Sequence, residues 1–319
     1  MARNLRDLRH KMKAIRSTRQ VTKAMELVAA SKMRRAVQSA QMLRRYAATG
    51  FRILESIAEV HPGLHPYLSE KPAERILAIL YATDRGLCGP LNAQMFRAVQ
   101  QYLREVRSLP SFQELSFIVV GKKGQQFLAR NTQHVIAAFS ALSNRPTFRD
   151  ALPIVRLASE SFLAGRYDHV VLLYPDFVSV LLQEPTIRVL LPFTKDELRA
   201  MLASLLPRRV KELPAFPARR SLGGGGSFQL PAVKEYLFEP SQEEVLKTIL
   251  PQLTEIQVYQ AVLEAAASEH SARMVAMHNA TDNATDLLDD LTLTYNQTRQ
   301  ANITAELAEL SATKVALAT

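Results

Sequence analysis

Stepping alternately by four and three from Ile249 lands on Leu253, Ile256, Gln260, Leu263, Ala267, His270, Met274, Met277, Thr281, Ala284, Leu288, Leu291 and Tyr295, and eleven of these fourteen positions are apolar or alanine. A 3.5-residue period held that long demands a helix whose apolar stripe is covered along its length by another helix, which is a coiled coil. Ser241-Gln242-Glu243-Glu244 has the Ser-x-x-Glu form of a capping box and sets the start of this helix. Pro251 lies inside it and predicts a kink or a restart.

The opposite end of the chain supplies the partner. From Met1 to Glu59 there is no proline and a single glycine, Gly50, among many good helix formers. Apolar residues at Leu5, Leu8, Met12, Ile15, Val21, Met25 and Val28 recur mainly by threes and fours and mark the expected seam. His61-Pro62-Gly63 ends the run, giving a rod of about 90 Å at ~1.5 Å per residue. Charge makes the same pairing. Residues 1–52 carry fourteen Lys/Arg against two acids, and residues 241–319 carry four against eleven, so local nets of +12 and −7 oppose each other. Two such rods are expected to pair antiparallel.

The whole chain, 319 residues at +10, is basic enough to call for an acidic partner. Its 47% hydrophobic content excludes wholesale disorder. Cys88 is the sole cysteine, which rules out an intramolecular disulfide. Apolar runs such as Ile76–Tyr81 fall far short of the ~20 residues that span a bilayer. The charged N-terminus has no apolar segment behind it, so neither a secretory leader nor a direct membrane span is expected.

Between the rods the periodicity changes. Arg75–Thr83, Ser116–Gly121 and Asp168–Tyr174 are short apolar runs that alternate with helical patterns over Leu91–Arg107, Lys123–Arg130 and Phe148–Leu163. That alternation predicts a mostly parallel sheet covered by helices. Phe177–Leu182 and Thr186–Leu191, parted by Gln183-Glu184-Pro185, read as a hairpin added at its edge. Residues 194–240 hold five of the sixteen prolines and the run Gly223–Gly226, the composition of a loop or linker, with a short helix around Lys195–Leu205. The expected fold class is therefore α/β, a long antiparallel coiled coil of the terminal helices with an inserted Rossmann-like domain. Its divisions are an N-terminal helix over 1–60, the α/β domain over 73–193, the loop over 194–240 and a C-terminal helix over 241–319.

Sites of chemistry are scarce. Gly121-Lys122-Lys123-Gly124 follows a strand but has neither the GxxxxGK[ST] nor the GxGxxG spacing, and reads as a strand-to-helix turn with solvated lysines. Cys88, in Thr83-Asp84-Arg85-Gly86-Leu87-Cys88-Gly89, has no histidine in its segment and reads as a small packed apolar group. Glu269-His270 lacks the i, i+4 histidine of a zinc helix, because position 274 is methionine. Asp282, Asp286, Asp289 and Asp290 lack the glycine and alternation of a calcium loop, and read as a solvated face or a partner for the basic helix. No catalytic residues, cofactor or metal are expected.

Three segments carry a family resemblance: IRSTRQVTKAMELVAASKM (Ile15–Met33), TDRGLCGPLN (Thr83–Asn92), and SEHSARMVAMHNATDNA (Ser268–Ala284) followed by YNQTRQANITAELAEL (Tyr295–Leu310). They stand in order over nearly the whole chain, which closely resembles the gamma subunits of F-type ATP synthases. The resemblance implies a central-stalk rotor subunit in a proton-translocating enzyme. Its coiled coil would enter a ring of three alpha and three beta subunits, and its foot would bind the epsilon subunit and the membrane c-ring. It would work from the cytoplasmic face of the inner membrane as a peripheral subunit and regulate ATPase activity and proton flow. Catalysis would stay on the beta subunits. Beta-subunit contacts would fall to Arg299, Gln300, Thr304 and Glu306 near the C-terminus, and to Lys23 and Met25 in the VTKAMELV segment. The family's frequent glycine-rich tail is replaced here by Ser311-Ala312-Thr313-Lys314, and 194–240 has no cysteine, which excludes a chloroplast-type thiol switch there. The competing expectation is a basic coiled-coil protein that binds nucleic acid, with steeply salt-dependent affinity.

Overall fold

The computed structural model describes residues 2–58, 65–69, 71–140, 142, 144, 146–193 and 242–317. The Pro/Gly-rich segment 194–240, its expected helix around Lys195–Leu205 and the capping residue Ser241 lie outside the described residues.

Helix α1 runs Ala2–Ala58, and the last helix, α5, runs Gln242–Leu317. Their 57 and 76 residues correspond to lengths of about 85 and 115 Å. Pro251 neither ends nor restarts α5, which is assigned as one helix across it.

The two helices pair antiparallel, fixed by Thr22 opposite Thr281 and Arg9 opposite Tyr295. Every position of the 4-3 walk from Ile249 to Tyr295 is buried or half-buried. On α1 the seam is Leu5, Leu8, Met12, Ile15, Arg19, Thr22, Glu26, Ala29, Met33, Ala36, Ala40 and Leu43. The expected seam therefore drifts after Ile15. Val21 and Val28 are 55% and 54% exposed, because the heptad frame set by Leu5–Ile15 continues through the polar Arg19 and Thr22. Apolarity alone had favoured the valines.

Between the helices lie β1 (Arg75–Tyr81), α2 (Leu91–Arg107), β2 (Glu114–Val120), α3 (Lys122–Arg130), β3 (His134–Phe139), α4 (Phe148–Leu163), β4 (His169–Phe177) and β5 (Gln183–Leu191). The sheet order is β3-β2-β1-β4-β5, parallel except for β5. Strand β1 is central, and its RILAILY run is buried from Ile76 to Tyr81, as a strand covered on both faces requires. One face packs under α2 and α3 through Met95, Val99, Leu103 and Leu128. The other packs under α4 and the lower part of α5 through Ile154, Phe162, Leu250, Leu253 and Val258. Each such aliphatic side chain contributes about 1.5–3 kcal/mol on full burial.

Two expectations change at the sheet edges. β3 is an additional strand that pairs with β2. The hairpin is made by β4 itself with β5, where Pro175 pairs with Pro185, so Phe177 ends a strand and 178–182 form the turn. Pro185 is tolerated because β5 is an edge strand. At the other end of the sheet, Arg75 Nε and Nη2 donate to the Asp168 carboxylate at 3.0 and 2.8 Å, stapling β1 to β4.

Candidate functional site

In doubly wound sheets ligands enter at the carboxyl ends of the strands, where the strand order reverses. Here that place lies between β1 and β4, and α5 is laid across it. Tyr81, Gly121 and Pro175 at the strand ends face Val262, Ala265, Ala266 and Glu269 of α5 around a narrow pocket. The Tyr81 hydroxyl in this pocket has no partner among the described residues, and burial pushes its ionisation far up.

The phosphate-loop possibility closes for a local reason. At Gly121 φ is 98°, and a Cβ would stand 2.0 Å from Ala82 O, so only glycine fits the turn. The amide donors that open α3 are already used: Lys122 N donates to Asp84 Oδ1 at 3.1 Å and Lys123 N to Thr83 O at 3.0 Å. A carboxylate of the chain itself takes the place of an anion at this helix N-terminus. Cys88 is buried against Leu91 and Ala272, and that burial raises its thiol pKa, the reverse of what a nucleophile needs. Among the described residues no group of His, Cys, Asp and Glu is arranged to hold a metal ion.

What the elements build instead is a joint and a rod. Ser268 Oγ donates to Pro175 O at 3.0 Å and Ser271 Oγ to Val180 O at 2.8 Å, so the hairpin is pinned to α5. Arg273 donates to Glu269 at 2.7 Å and to Gly86 O at 3.3 Å, tying the β1–α2 loop to the same helix. Phe177 packs with Ala36, Ala266 and Ala267, where α1, α5 and β4 meet. Lys32 of α1 donates to Asn144 in the β3–α4 loop. His270 is buried on the seam with Arg273 Nη1 3.4 Å from its Nδ1, as a packing residue rather than a ligand.

Above this joint the coiled coil carries the residues singled out in the sequence. Arg299, Gln300, Thr304 and Glu306 are all exposed on α5. At 100° per residue Arg299 and Glu306 share the flank beside the seam, while Gln300 and Thr304 lie on the face turned away from it. With Arg9 level with Tyr295, α1 begins at about residue 302 of α5, so Thr304 and Glu306 lie on a helix with no companion from α1. Just below, the Arg9 guanidinium donates to the Tyr295 hydroxyl at 2.9 and 2.5 Å and lies 5.3 Å from its ring centroid, clamping the end of the pair.

Lys23 and Met25 form a separate station about 30 Å lower. Lys23 is exposed with its ammonium on both oxygens of Glu26 at 3.1 Å, and Met25 is half-buried at the seam. The structure thus brings the first four residues together and leaves these two apart. Val21, Leu27 and Val28 add exposed apolar surface at the lower station. Val21 and Val28, which spacing by threes and fours assigns to the seam, thus stand outside it.

This geometry defines a class of protein: a long antiparallel coiled-coil rod grounded in an α/β foot. Comparison with known proteins gives the same class. The profile of the "ATP synthase" family matches residues 4–317. The ATP synthase gamma chain of Roseiflexus castenholzii is 39% identical over 316 residues, covering 98% of both chains, and that of Opitutus terrae is 40% identical over 315 residues, again 98% of both. The fold matches the rotor of the Euglena gracilis mitochondrial ATP synthase with a TM-score of 0.60 at 19% identity, covering 95% of this chain and 100% of that one. It also matches a chain of the Tetrahymena thermophila mitochondrial ATP synthase central stalk and c-ring, with a TM-score of 0.56 at 25% identity over 82% of this chain and 99% of the other. The chain belongs to the gamma-chain family of ATP synthase. It is a non-catalytic, central-stalk subunit of that enzyme and a peripheral component of its F1 part. Among the described residues no helix is long and apolar enough to cross a membrane.

Proposed function

We propose that this chain is the turning shaft of a proton-translocating ATP synthase. The coiled coil stands in the cavity of a ring of three alpha and three beta subunits, and the foot rests on the epsilon subunit and the c-ring at the cytoplasmic face of the inner membrane. Arg299, Gln300, Thr304 and Glu306 contact the beta subunits at an upper station, and Lys23 and Met25 at a lower one. The observation that carries this reading is the rod itself: α5 is enclosed by the foot over its lower half and, among the described residues, emerges paired with α1 and then by itself.

The mechanism follows from asymmetry. One shaft with dissimilar faces, surrounded by three equivalent catalytic sites, presents a different face to each. A face that favours one site conformation shifts nucleotide affinity there, and by linkage the occupancy of that site biases the shaft angle by the same coupling free energy. Hydrolysis on the beta subunits then turns the shaft, and rotation of the c-ring drives release of ATP. Arg299 and Glu306 supply charge-assisted hydrogen bonds that form and break as the faces change. The packed joint between α5 and the sheet passes torque without a hinge, because close-packed interiors transmit strain. A nucleic-acid role gains nothing from the fold or the relatives.

Reconstitution with the alpha and beta subunits tests the reading. A 3:3:1 complex is expected, with ATPase turnover lowered in Arg299→Ala/Gln300→Ala. A chain that fails to join the ring overturns it.

A further inference from the structure

Between Arg19 and Glu26 the α1 seam turns polar, and this stretch adjoins the lower station. Thr22 Oγ1 meets Thr281 Oγ1 across the seam at 2.9 Å. One turn towards the foot, the Glu26 carboxylate is shared. Lys23 Nζ lies 3.1 Å from both its oxygens, and His278 Nδ1 of α5 lies 3.4 Å from Oε1. The other ring nitrogen of His278, Nε2, is 3.4 Å from Asp282 Oδ2. The imidazole is therefore held between two carboxylates, one on each helix.

A neutral imidazole has one N–H and one lone pair, so it can donate to one of these carboxylates only and turns its lone pair on the other. An imidazolium donates to both, and such bonds are about twice as strong as neutral ones. The arrangement suits the charged ring. Among the described residues the charged groups around it are Glu26, with Lys23 beyond it, on α1 and Asp282 on α5; Arg19 lies two turns from Glu26 on the seam, and Arg273 is engaged with Glu269.

We propose that His278 is a positioning residue for Lys23: a protonated His278 ties Glu26 across the coiled coil and releases Lys23 from it to reach the ring of beta subunits. This rests on the reading of Lys23 as a ring contact. Lys23 is 51% exposed, and Glu26 is its partner among the described residues, so weakening that one pair frees the ammonium.

The test is the pH profile of ATPase turnover from pH 5.5 to 8 in the complex reconstituted with alpha and beta subunits. The chains compared are wild type, His278→Gln (always neutral), His278→Arg (always charged) and Lys23→Gln. Relative to the Lys23→Gln complex, wild type should change about two- to fivefold between the two ends of the range, the size expected of a half-exposed ion pair. His278→Arg should hold the acid-side value throughout and His278→Gln the alkaline-side value. The same step in all three chains overturns the proposal. Failure of the wild-type chain to assemble overturns the shaft reading instead. Should a His278 variant fail to assemble, Glu26→Gln in the reconstituted complex decides: it removes the carboxylate that holds Lys23 and should abolish the step between the two ends of the range, and an unchanged step overturns the proposal.

Discussion

From Leu253 to Ala272 no residue of α5 is exposed, whereas from His278 onward little beyond the seam is covered. In the lower stretch even positions off the 4-3 walk, such as Val258, Ala261 and Val262, are buried, because β4, α4 and α1 surround the helix. In the upper stretch the corresponding positions are Asp282, Asp286, Leu287, Asp289, Asp290 and Leu293, and all are exposed. The two halves share one backbone and one heptad frame. A heptad repeat determines a single stripe, and the residues off that stripe decide whether the helix is the core of a domain or a free rod.

Leu250→Ala should have the largest effect. It empties a fully buried site between sheet and helix and should cost 2–5 kcal/mol by the usual range for such truncations, read by denaturant unfolding. Leu288→Ala, in the upper seam, should cost less, about 2 kcal/mol, and leave amide-exchange protection in the foot unchanged. Equal losses, or loss of protection in the foot, would break the comparison. Asp168→Asn sharpens it from the foot side. Hydrogen bonds from Arg75 hold the Asp168 carboxyl below its ordinary range. Its stabilising contribution is therefore complete above about pH 4 and lost at lower pH, so wild type and variant should differ at pH 7 and converge as acid protonates the group. Thermal melts at several pH values, with Leu288→Ala as a control showing no such convergence, check this. The smallest effect concerns the polar layer. Thr22→Val or Thr281→Val alone leaves one hydroxyl without its cross-seam partner and should cost about 1 kcal/mol, while the double variant should return to within about 0.5 kcal/mol of wild type.

Much of this was legible in the sequence because it depends on strong periodic signals. The walk from Ile249 to Tyr295 and the helix over Phe148–Leu163 stand where spacing placed them. The α1 seam was legible as far as Ile15 and again at Met25, but not at Val21 and Val28. Past Ile15 packing register outranks side-chain polarity, and Arg19 and Thr22 hold positions that Val21 seemed better suited to fill. β3 was not read as a strand although Val135–Phe139 is a five-residue apolar run: two of the five are alanines, which are depleted in strands, and it lies half-buried at the sheet edge. Residues such as Arg299 and Glu306 carry no periodic signal, being exposed positions on a helix of many. Family likeness singled them out, and the structure adds that they share one flank while Gln300 and Thr304 lie on another face. The Glu26–His278–Asp282 contact joins residues about 250 positions apart and depends on a register that no local pattern states.

That register also governs how the molecule is made. Thr22 meets Thr281, so the strip of α1 that will form the shaft leaves the ribosome long before its partner exists. At 5–20 residues per second the wait is on the order of ten to fifty seconds. Throughout it a basic helix with an uncovered apolar seam must persist beside a foot that still lacks the helix closing one face of its sheet. The last quarter of the chain completes the foot and the shaft together, so a nascent chain halted before α5 would hold neither.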